Sequence, residues 1–195
     1  MAATNYVVTV QRPTEVTGLA TGYFTAANEF NLIVAKNTHL EIYLITSDGL
    51  KLIKDVSIYG QINVLKSFRL PNMNKDLLFV FTAKCHGMIL DCRKTDQDQC
   101  EILTKGHGFL KVNLVRSLID LIDLFQDTNH RSIGPPLCSI DSKHGLILLH
   151  LSEGVIKLIY LKDFSSKESN AKPLDSFNIK FVFHCLFAFL LEIII

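Results

Sequence analysis

The sequence lacks an excess of charge of either sign. Its 20 lysines and arginines balance 19 aspartates and glutamates over 195 residues, which leaves a net charge of +1. A protein that binds nucleic acid through its phosphates needs a basic field, so this balance gives no signal of direct nucleic-acid binding. With 48% hydrophobic and 20% charged residues, the composition indicates about one globular domain rather than a disordered chain.

Secretion signals are lacking as well. The opening residues, MAATNYVVTVQRPTEV, do not show the basic flank and apolar core of a signal peptide, and the sequence contains no Asn-x-Ser/Thr sequon. The cysteines are odd in number and form no Cys-x-x-Cys pair. We therefore expect reduced thiols in an intracellular compartment. The five cysteines are Cys85, Cys92, Cys100, Cys138 and Cys185.

Motifs of the common enzyme classes are also missing. The sequence has no P-loop, no Gly-x-Ser-x-Gly and no His-Glu-x-x-His. The Gly-His-Gly at 106–108 lacks a third glycine and a following βα unit, so it predicts a turn. Cys85, His86 and Cys92 are close in sequence, but their spacing fits no zinc template. We expect Cys85 and His86 in a hairpin turn and Cys92 in a strand.

The remaining polar residues form no catalytic constellation. Asp120 and Asp123 have the types needed for acid–base chemistry, but their spacing on one polar helix face indicates a solvated stripe. His150 lies in an apolar run, which predicts a hydrogen-bonded strand residue. We therefore predict no catalytic, cofactor-binding or metal-binding residue, no cofactor, and a protein that is not an enzyme.

What the sequence does contain is short apolar runs between turn signals. Runs of four to eight residues rich in Val, Ile, Leu, Phe and Tyr predict β-strands. The links carry Gly, Asn, Asp and Ser, and they are too short for parallel crossovers, so antiparallel hairpins follow. The predicted strands are 32–36, 40–46, 50–58, 61–68, 77–83, 88–93, 101–104, 145–151 and 155–161.

One hairpin pattern occurs three times. Its copies read NLIVAKNTHLEIYLITSDG, LLFVFTAKCHGMILDC and LILLHLSEGVIKLIYL, with pivots at His39, Gly87 and Gly154. The first interval is 48 residues (39 to 87), and the second is 67 (87 to 154). Units of four strands every 40–50 residues or so are typical of propeller blades, whose sheets bury their faces against one another. The fold predicted is an all-β partial β-propeller, and a β-sandwich is the alternative.

Two segments interrupt this pattern. Residues 109–130, FLKVNLVRSLIDLIDLFQDTNH, place polar residues three or four apart, which predicts an inserted helical segment. Its 22 residues are close to the 19 by which the second interval exceeds the first (67 − 48). Residues 181–195, FVFHCLFAFLLEIII, are almost wholly apolar and shorter than the roughly 20 residues that span a membrane. The tail has three interpretations: a buried or aggregation-prone strand, a marginal membrane anchor, or non-native peptide from a splicing or gene-model error.

The sequence also resembles a known family. The stretches NYVVTVQRPTEV, ATGYFTAANEFNLIVAKNTHLEIYLITSDGLKLIKDVSIYGQI and KDLLFVFTAKCHGMILD are similar to the start of the large subunit of damage-specific DNA-binding protein. RSIGPP, HGLILLHLSEGVIKLIYL and FNIK continue the similarity. The resemblance covers about 5–108 and 131–180, and AKNTHLEIY is its most specific motif.

The resemblance implies a non-catalytic scaffold, the adaptor of cullin-4 RING ubiquitin ligases. It implies the first of three seven-bladed propellers, of which this chain supplies about three four-stranded blades. In that family the first and third propellers clasp substrate receptors, the second meets the cullin, and a partner subunit touches damaged DNA. We therefore expect action in nucleotide-excision repair and protein ubiquitination, and a location in nucleus and cytoplasm.

The expected organisation has four parts. These are the first propeller blades at 1–108, a non-family insertion at 109–130, a further blade at 131–180 and a non-family tail at 181–195. We expect the insertion and the tail to be retained-intron peptide. An incomplete ring exposes faces and edges, so we also expect poor solubility. The alternative functions are a related propeller scaffold of pre-mRNA cleavage or splicing complexes, and a membrane-tethered β protein.

Overall fold

The fold consists of three antiparallel β-sheets. The computed structural model describes residues 14–71, 73–95, 99–110, 136–152, 155–161 and 172–180. Sheet 1 contains β1 (Gly18–Ala26), β2 (Glu29–Lys36), β3 (His39–Thr46) and β4 (Gly49–Ser57) in that order. Sheet 2 contains β5 (Ile62–Phe68), β6 (Leu77–Thr82), β7 (His86–Lys94) and β8 (Cys100–Phe109), with the two-residue β12 (Lys172–Pro173) parallel to β8 at its edge. Sheet 3 contains β9 (Leu137–Asp141), β10 (Leu146–Ser152), β11 (Val155–Tyr160) and β13 (Asp175–Lys180).

The sheets are arranged radially around the first strand of each. Strand β1 packs against β5, and β5 packs against β9. Consecutive strands then follow outward by short hairpins, as in the blades of a propeller. The prediction of an all-β partial propeller is confirmed: the chain forms three blades, with no helix among the residues that the structure describes.

Two hydrophobic cores lie between the three blades. The core between sheets 1 and 2 contains Phe24, Ile33, Ala35, Leu40, Ile42, Ile58, Ile62, Leu65, Leu78, Val80, Leu90, Cys92 and Cys100. The core between sheets 2 and 3 contains Val64, Phe68, Leu70, Leu77, Phe79, Phe81, Ile89, Leu110, Ile147, Leu149, Ile159, Leu161 and Leu174. Sheet 2 therefore contributes both of its faces to these two cores, whereas sheets 1 and 3 each contribute one face among the residues that the structure describes.

All nine predicted strands are present, with ends that differ by a few residues. The sequence analysis missed four strands: β1, β9, β13 and the two-residue β12 (Lys172–Pro173). Strand β1 was not predicted because Gly18, Ala20 and Gly22 have low β propensity. Within β1 the missing side chain matters at Gly22, since a Cβ there would overlap the Asp76 carboxylate and lie 3.4 Å from Ser67 Oγ.

The middle hairpin of each blade is the repeated motif of the sequence. Its loops use left-handed backbone at Asn37 (φ 54°) and Cys85 (φ 59°). Alignment on His39 and Gly87 is one residue out of register, however. Lys36 pairs with His39 in sheet 1, whereas Phe81 pairs with Gly87 in sheet 2 because the β6–β7 loop is longer. Gly87 therefore corresponds to Leu40.

The Gly-His-Gly at 106–108 is a strand, so the predicted turn is wrong. It lies in β8, where Gly106 pairs with Ile89 and Gly108 with Gly87. Strand β12 runs parallel to this edge, and Leu174 donates its N–H to the His107 carbonyl at 3.0 Å. The strand tolerates two glycines because Leu174 fills the space that a side chain at Gly108 would take.

The predicted insertion begins with residues that belong to the blade. Phe109 is the last residue of β8, opposite His86, and Leu110 is 1% exposed with its N–H donated to the Cys85 carbonyl at 2.7 Å. The predictions for 111–130 and for the tail at 181–195 lie outside the described residues.

Candidate interaction surfaces

One face of sheet 1 is apolar and open to solvent. Because strand side chains alternate, the register places Leu19, Leu32, Tyr43 and Leu52 on the side opposite the core. We call this surface the free face of sheet 1. Its solvent-accessible members are Leu19, Phe30, Leu32, Tyr43, Ile45, Leu50 and Leu52, of which Leu19 is 61% exposed, Leu50 56% and Leu52 49%; Val34 on the same side is buried. Clustered exposed hydrophobic side chains of this kind mark an interaction site.

The end of the free face near the β2–β3 turn is held by ion pairs. Lys36 Nζ lies 2.6 Å from Glu41 Oε2, and the Tyr43 hydroxyl donates to the same oxygen at 2.6 Å. Through these hydrogen bonds Glu41 raises the pKa of both Lys36 and Tyr43. His39 Nδ1 contacts Asp55 Oδ1 at 3.2 Å. This border fixes the side chains that frame the apolar surface.

Sheet 3 has a comparable surface on the side away from sheet 2. Its register places Leu146, Leu148 and Leu158 opposite the side that carries the buried Ile147 and Ile159. We call this surface the outer face of sheet 3. Its described apolar members are Leu137, Leu146, Leu148, Ile156, Leu158 and Tyr160, and the polar Ser139, Asp141 and His150 lie on the same face. Leu137 is 57% exposed, Ile156 is buried and the others are half-buried.

A charged cleft lies where the β1–β2 turn meets sheet 2. The cavity has a volume of about 560 Å³, and its lining includes Lys75, Asp91, Arg93, Lys94 and Lys105. Lys75 Nζ lies 2.6 Å from Asp91 Oδ1 and also donates to the Cys92 carbonyl, while Lys105 Nζ is 4.0 Å from Asp91 Oδ2. Asp91 Oδ1 accepts no well-aligned hydrogen bond, so its contact with Lys75 is an ion pair.

Most of the positive charge in the cleft is paired within the protein, by Asp91 and Glu29. Four cationic side chains line it, against the single carboxylate of Asp91. Lys94 forms a further ion pair with Glu29 at 2.6 Å, which ties the turn of sheet 1 to sheet 2. The sequence analysis missed this cleft because its residues come from separate elements of the chain and form no contiguous motif.

The prediction that the cysteines are reduced differs from the structure at one pair. Cys92 and Cys100 form a disulfide across β7 and β8, with their Cα atoms 6.2 Å apart, inside the core between sheets 1 and 2. Cys85 and Cys138 are free. Burial raises the pKa of Cys138 to about 12, because the thiolate would lose its hydration.

The residues weighed as metal ligands are not brought together. Cys85 lies in the β6–β7 loop, His86 begins β7 with its ring against the edge of Phe109, and Cys92 is bonded to Cys100. Within the part of the chain that the structure describes, no three His, Cys, Asp or Glu residues are grouped as a metal site. His150 lies in β10 opposite Leu137, as a strand residue. Asp120 and Asp123 lie outside the described residues.

The same described segments include no helix long and apolar enough to cross a membrane.

Comparison with known proteins identifies the family. The model of the "RSE1/DDB1/CPSF1 first beta-propeller" matches residues 15–192. DNA damage-binding protein 1 of Drosophila melanogaster is 34% identical over 93% of this chain, and that of Oryza sativa subsp. japonica is 36% identical over 95%. DNA damage-binding protein 1a of Arabidopsis thaliana is 35% identical over 95% of the chain.

The chain spans only 15–16% of the length of these relatives. The limits of the family match, 15–192, enclose the predicted insertion and most of the tail. That those two segments are foreign to the family therefore stays a prediction. The three radial blades and the match to the first-propeller model agree with each other and with the resemblance found in the sequence. The chain belongs to the RSE1/DDB1/CPSF1 first β-propeller family.

Proposed function

We propose that this chain is a non-catalytic protein-interaction scaffold, the amino-terminal propeller portion of a cullin-4 RING ubiquitin ligase adaptor. It acts in the recognition of DNA damage, in nucleotide-excision repair and in protein ubiquitination. Its location is the nucleus and the cytoplasm.

The observation that carries the proposal is the identity of 34–36% to proteins named DNA damage-binding protein 1, over 93–95% of the chain. The fold supports it, because stacked blades with exposed apolar faces form a binding platform. The charge balance also supports a protein that reaches DNA through a partner.

The partners proposed are the substrate receptors of the ligase. The cullin is reached only through parts of the longer relatives that this chain does not contain. Damaged DNA is reached indirectly, through a partner subunit.

A chimera tests the proposal. The segment of Drosophila DNA damage-binding protein 1 that matches this chain is replaced by residues 15–180, and the tagged chimera is used to capture substrate receptors and cullin-4 from cells. We expect both to be captured. Cullin-4 serves as the folding control, since its contact lies elsewhere in the relative. Capture of cullin-4 with loss of every receptor would contradict the proposal.

The second candidate is a related propeller scaffold in pre-mRNA cleavage or splicing. It is favoured by the family description, which groups RSE1 and CPSF1 with DDB1. Mass spectrometry of proteins captured by the tagged chain separates the two: substrate receptors support the first candidate, and cleavage or splicing factors support the second.

A further inference from the structure

The disulfide of Cys92 and Cys100 lies where two blades meet. Cys92 is in β7, and Cys100 is the first residue of β8. Both belong to the core between sheets 1 and 2, where Cys92 is fully buried and Cys100 is 5% exposed. The bond therefore links the two outer strands of the second blade on the side that faces the first blade.

Contacts that hold this part of the molecule together lie next to the bond. Lys94 pairs with Cys100 across the two strands, and its side chain forms the ion pair with Glu29, the first residue of β2. Lys75, in the β5–β6 loop, donates to the carbonyl of Cys92. The bond thus joins strands whose neighbouring residues tie the β1–β2 turn to sheet 2.

The charged cleft gives access to this place. Cys92 is one of the residues that line the cleft, whose volume of about 560 Å³ is typical of a pocket for a small molecule. The formal charge over its four cations and the carboxylates of Asp91 and Glu29 is +2 (4 − 2), because Asp91 serves both Lys75 and Lys105. Positive surroundings favour a thiolate over a thiol, and they attract an anionic thiol from solution.

A disulfide in the nucleus or the cytoplasm is exposed to reduced glutathione, and those that form there are mostly transient and redox-sensing. This step rests on the location given in the proposed function. The sequence predicts reduced thiols, whereas the structure contains one bond. A pair that alternates between the two forms accounts for both.

We propose that Cys92 and Cys100 are a reversible thiol–disulfide switch that exchanges with glutathione through the charged cleft. In reduction, a glutathione thiolate attacks one sulfur and forms a mixed disulfide, and the other sulfur leaves as a thiolate that takes a proton from water. A second glutathione thiolate then attacks the mixed disulfide, which releases the second protein thiol and oxidised glutathione. In oxidation the same steps run backwards, with oxidised glutathione accepting the two electrons.

A glutathione titration of the whole chain tests the exchange. The chain is equilibrated at fixed ratios of reduced to oxidised glutathione and quenched with N-ethylmaleimide, and peptide mass spectrometry measures the fraction of Cys92 linked to Cys100. We expect linkage in excess oxidised glutathione and at least a tenfold smaller fraction in excess reduced glutathione, with one curve from either starting form. A bond that persists in excess reduced glutathione, or a pair that stays unlinked in excess oxidised glutathione, overturns the proposal.

Thermal unfolding gives a second readout. The disulfide restricts the unfolded chain, so the oxidised form should unfold about 5 °C above the reduced form. The control is Cys100→Ser, which should have the same midpoint in both glutathione mixtures. Equal midpoints for the two forms of the unmodified chain would contradict a switch that acts on the packing of the blades.

Arg93→Gln tests the route through the cleft. Arg93 is an exposed lining residue, and loss of its charge should slow reduction by glutathione, which is anionic, by about two- to threefold. Reduction by the neutral 2-mercaptoethanol should keep its rate. The matched control is Lys51→Gln, an equal loss of charge at an exposed site in β4, which should change neither rate. An unchanged rate with glutathione in Arg93→Gln, or equal slowing with both reagents, would contradict this route. None of these measurements depends on capture of substrate receptors.

Discussion

At Gly87 the absence of a side chain decides how closely the core between sheets 2 and 3 can pack. A Cβ atom there would overlap Leu110 Cδ1 and lie 3.2 Å from Leu110 Cγ and 3.5 Å from Leu174 Cδ1. Leu110 is 1% exposed and Leu174 is 8% exposed, so neither can turn aside into solvent. The glycine is needed for space rather than for an unusual backbone angle.

Gly87→Ala should therefore destabilise the fold by about 1–2 kcal/mol through overpacking. The control is Gly18→Ala in β1, where the nearest atoms to a Cβ are at 3.5 and 3.7 Å, an ordinary contact distance. That change should stay within about 0.5 kcal/mol of the unmodified chain. Urea unfolding followed by circular dichroism measures both. Equal midpoints for the two variants would refute the packing argument.

Cys138 should be nearly inert towards alkylating reagents in the folded chain. Burial raises its pKa to about 12 from an ordinary value of 9.0, so its thiolate fraction at neutral pH falls by about a thousandfold. Iodoacetamide labelling read by peptide mass spectrometry should leave Cys138 unmodified in buffer and modify it in urea, with Cys138→Ser identifying the peptide. Labelling at the same rate in both conditions would show that the thiol is not desolvated.

The turn at Asp141 gives a pH-dependent contact. Asp141 Oδ2 pairs with His144 Nδ1 at 2.6 Å, and Asp141 Oδ1 accepts backbone N–H groups from Lys143 and His144 at 3.0 and 3.2 Å. The side-chain bond from His144, followed by the backbone N–H groups, lowers the Asp141 pKa below its ordinary value of 3.8.

His144→Ala should raise the pKa of Asp141 part of the way back, because the backbone donors remain. Since the folded-state pKa lies below the unfolded one, the contact stabilises the fold above the ordinary pKa and is lost as pH falls through the folded pKa. Carboxyl chemical shifts in an NMR titration measure the change. An unchanged Asp141 pKa in the variant would show that His144 does not lower it.

At the scale of elements, β6 is the one strand with every residue buried among β1 to β9, whose burial the structure describes. All six of its residues, LLFVFT, are buried, because the alternating side chains enter the two different cores. Leu78 and Val80 face sheet 1, whereas Leu77, Phe79 and Phe81 face sheet 3. A continuous apolar run is the sequence pattern of a strand covered on both sides, and here the sequence carried that signal.

Phe79→Ala should cost about 3–5 kcal/mol, since Phe79 is fully buried between sheets 2 and 3. Phe109→Ala is the matched control, because Phe109 is 59% exposed and its ring packs edge-to-face with the ring of His86 in β7. The control should lose about 1 kcal/mol or less. Thermal unfolding compares the two. Similar losses would mean that β6 is not the central packed strand.

The elements that sequence reasoning missed share a physical cause. Strand β1 is rich in glycine and alanine, and β12 has two residues, so local propensity identifies neither. Both are defined by what lies beside them: β1 by β5, and β12 by the outer edge of β8. The Gly-His-Gly at 106–108 has the same cause. Its strand is defined by its pairing with β7, which is non-local, and its local sequence indicates a turn.

At the scale of the whole molecule, the predicted insertion should be dispensable for folding. The described residues on either side are held by their own contacts: Leu110 is bonded to Cys85, and β9 pairs with β10. Deletion of 111–130 should leave the thermal midpoint and the β-sheet circular dichroism of the chain unchanged. Loss of cooperative unfolding in the deletion variant would show that the segment is part of the folding unit.

Transcript sequencing across Gly108 and Lys180 tests the origin of the same segment and of the tail. Intron boundaries at these positions are expected if the two segments are retained introns. Continuous exon sequence at both would contradict that origin, whatever the deletion variant shows.

The amino-acid sequence by itself determined the class of the fold and the family. Alternating apolar runs, short links and a repeated hairpin are local features, and they fix antiparallel sheets because no crossover fits between them. Motifs such as AKNTHLEIY identify the relatives without reference to coordinates.

Only the tertiary structure decided which surfaces are covered and which are open. The β6–β7 loop is one residue longer than the β2–β3 loop, so strand pairing makes Ile89, rather than Leu90, the equivalent of Ile42, and the sequence repeat did not show that difference. The charged cleft and the disulfide of Cys92 and Cys100 likewise join residues whose proximity depends on strand pairing and blade packing. The local pattern determines which segments can form strands, and long-range packing determines what each strand contacts.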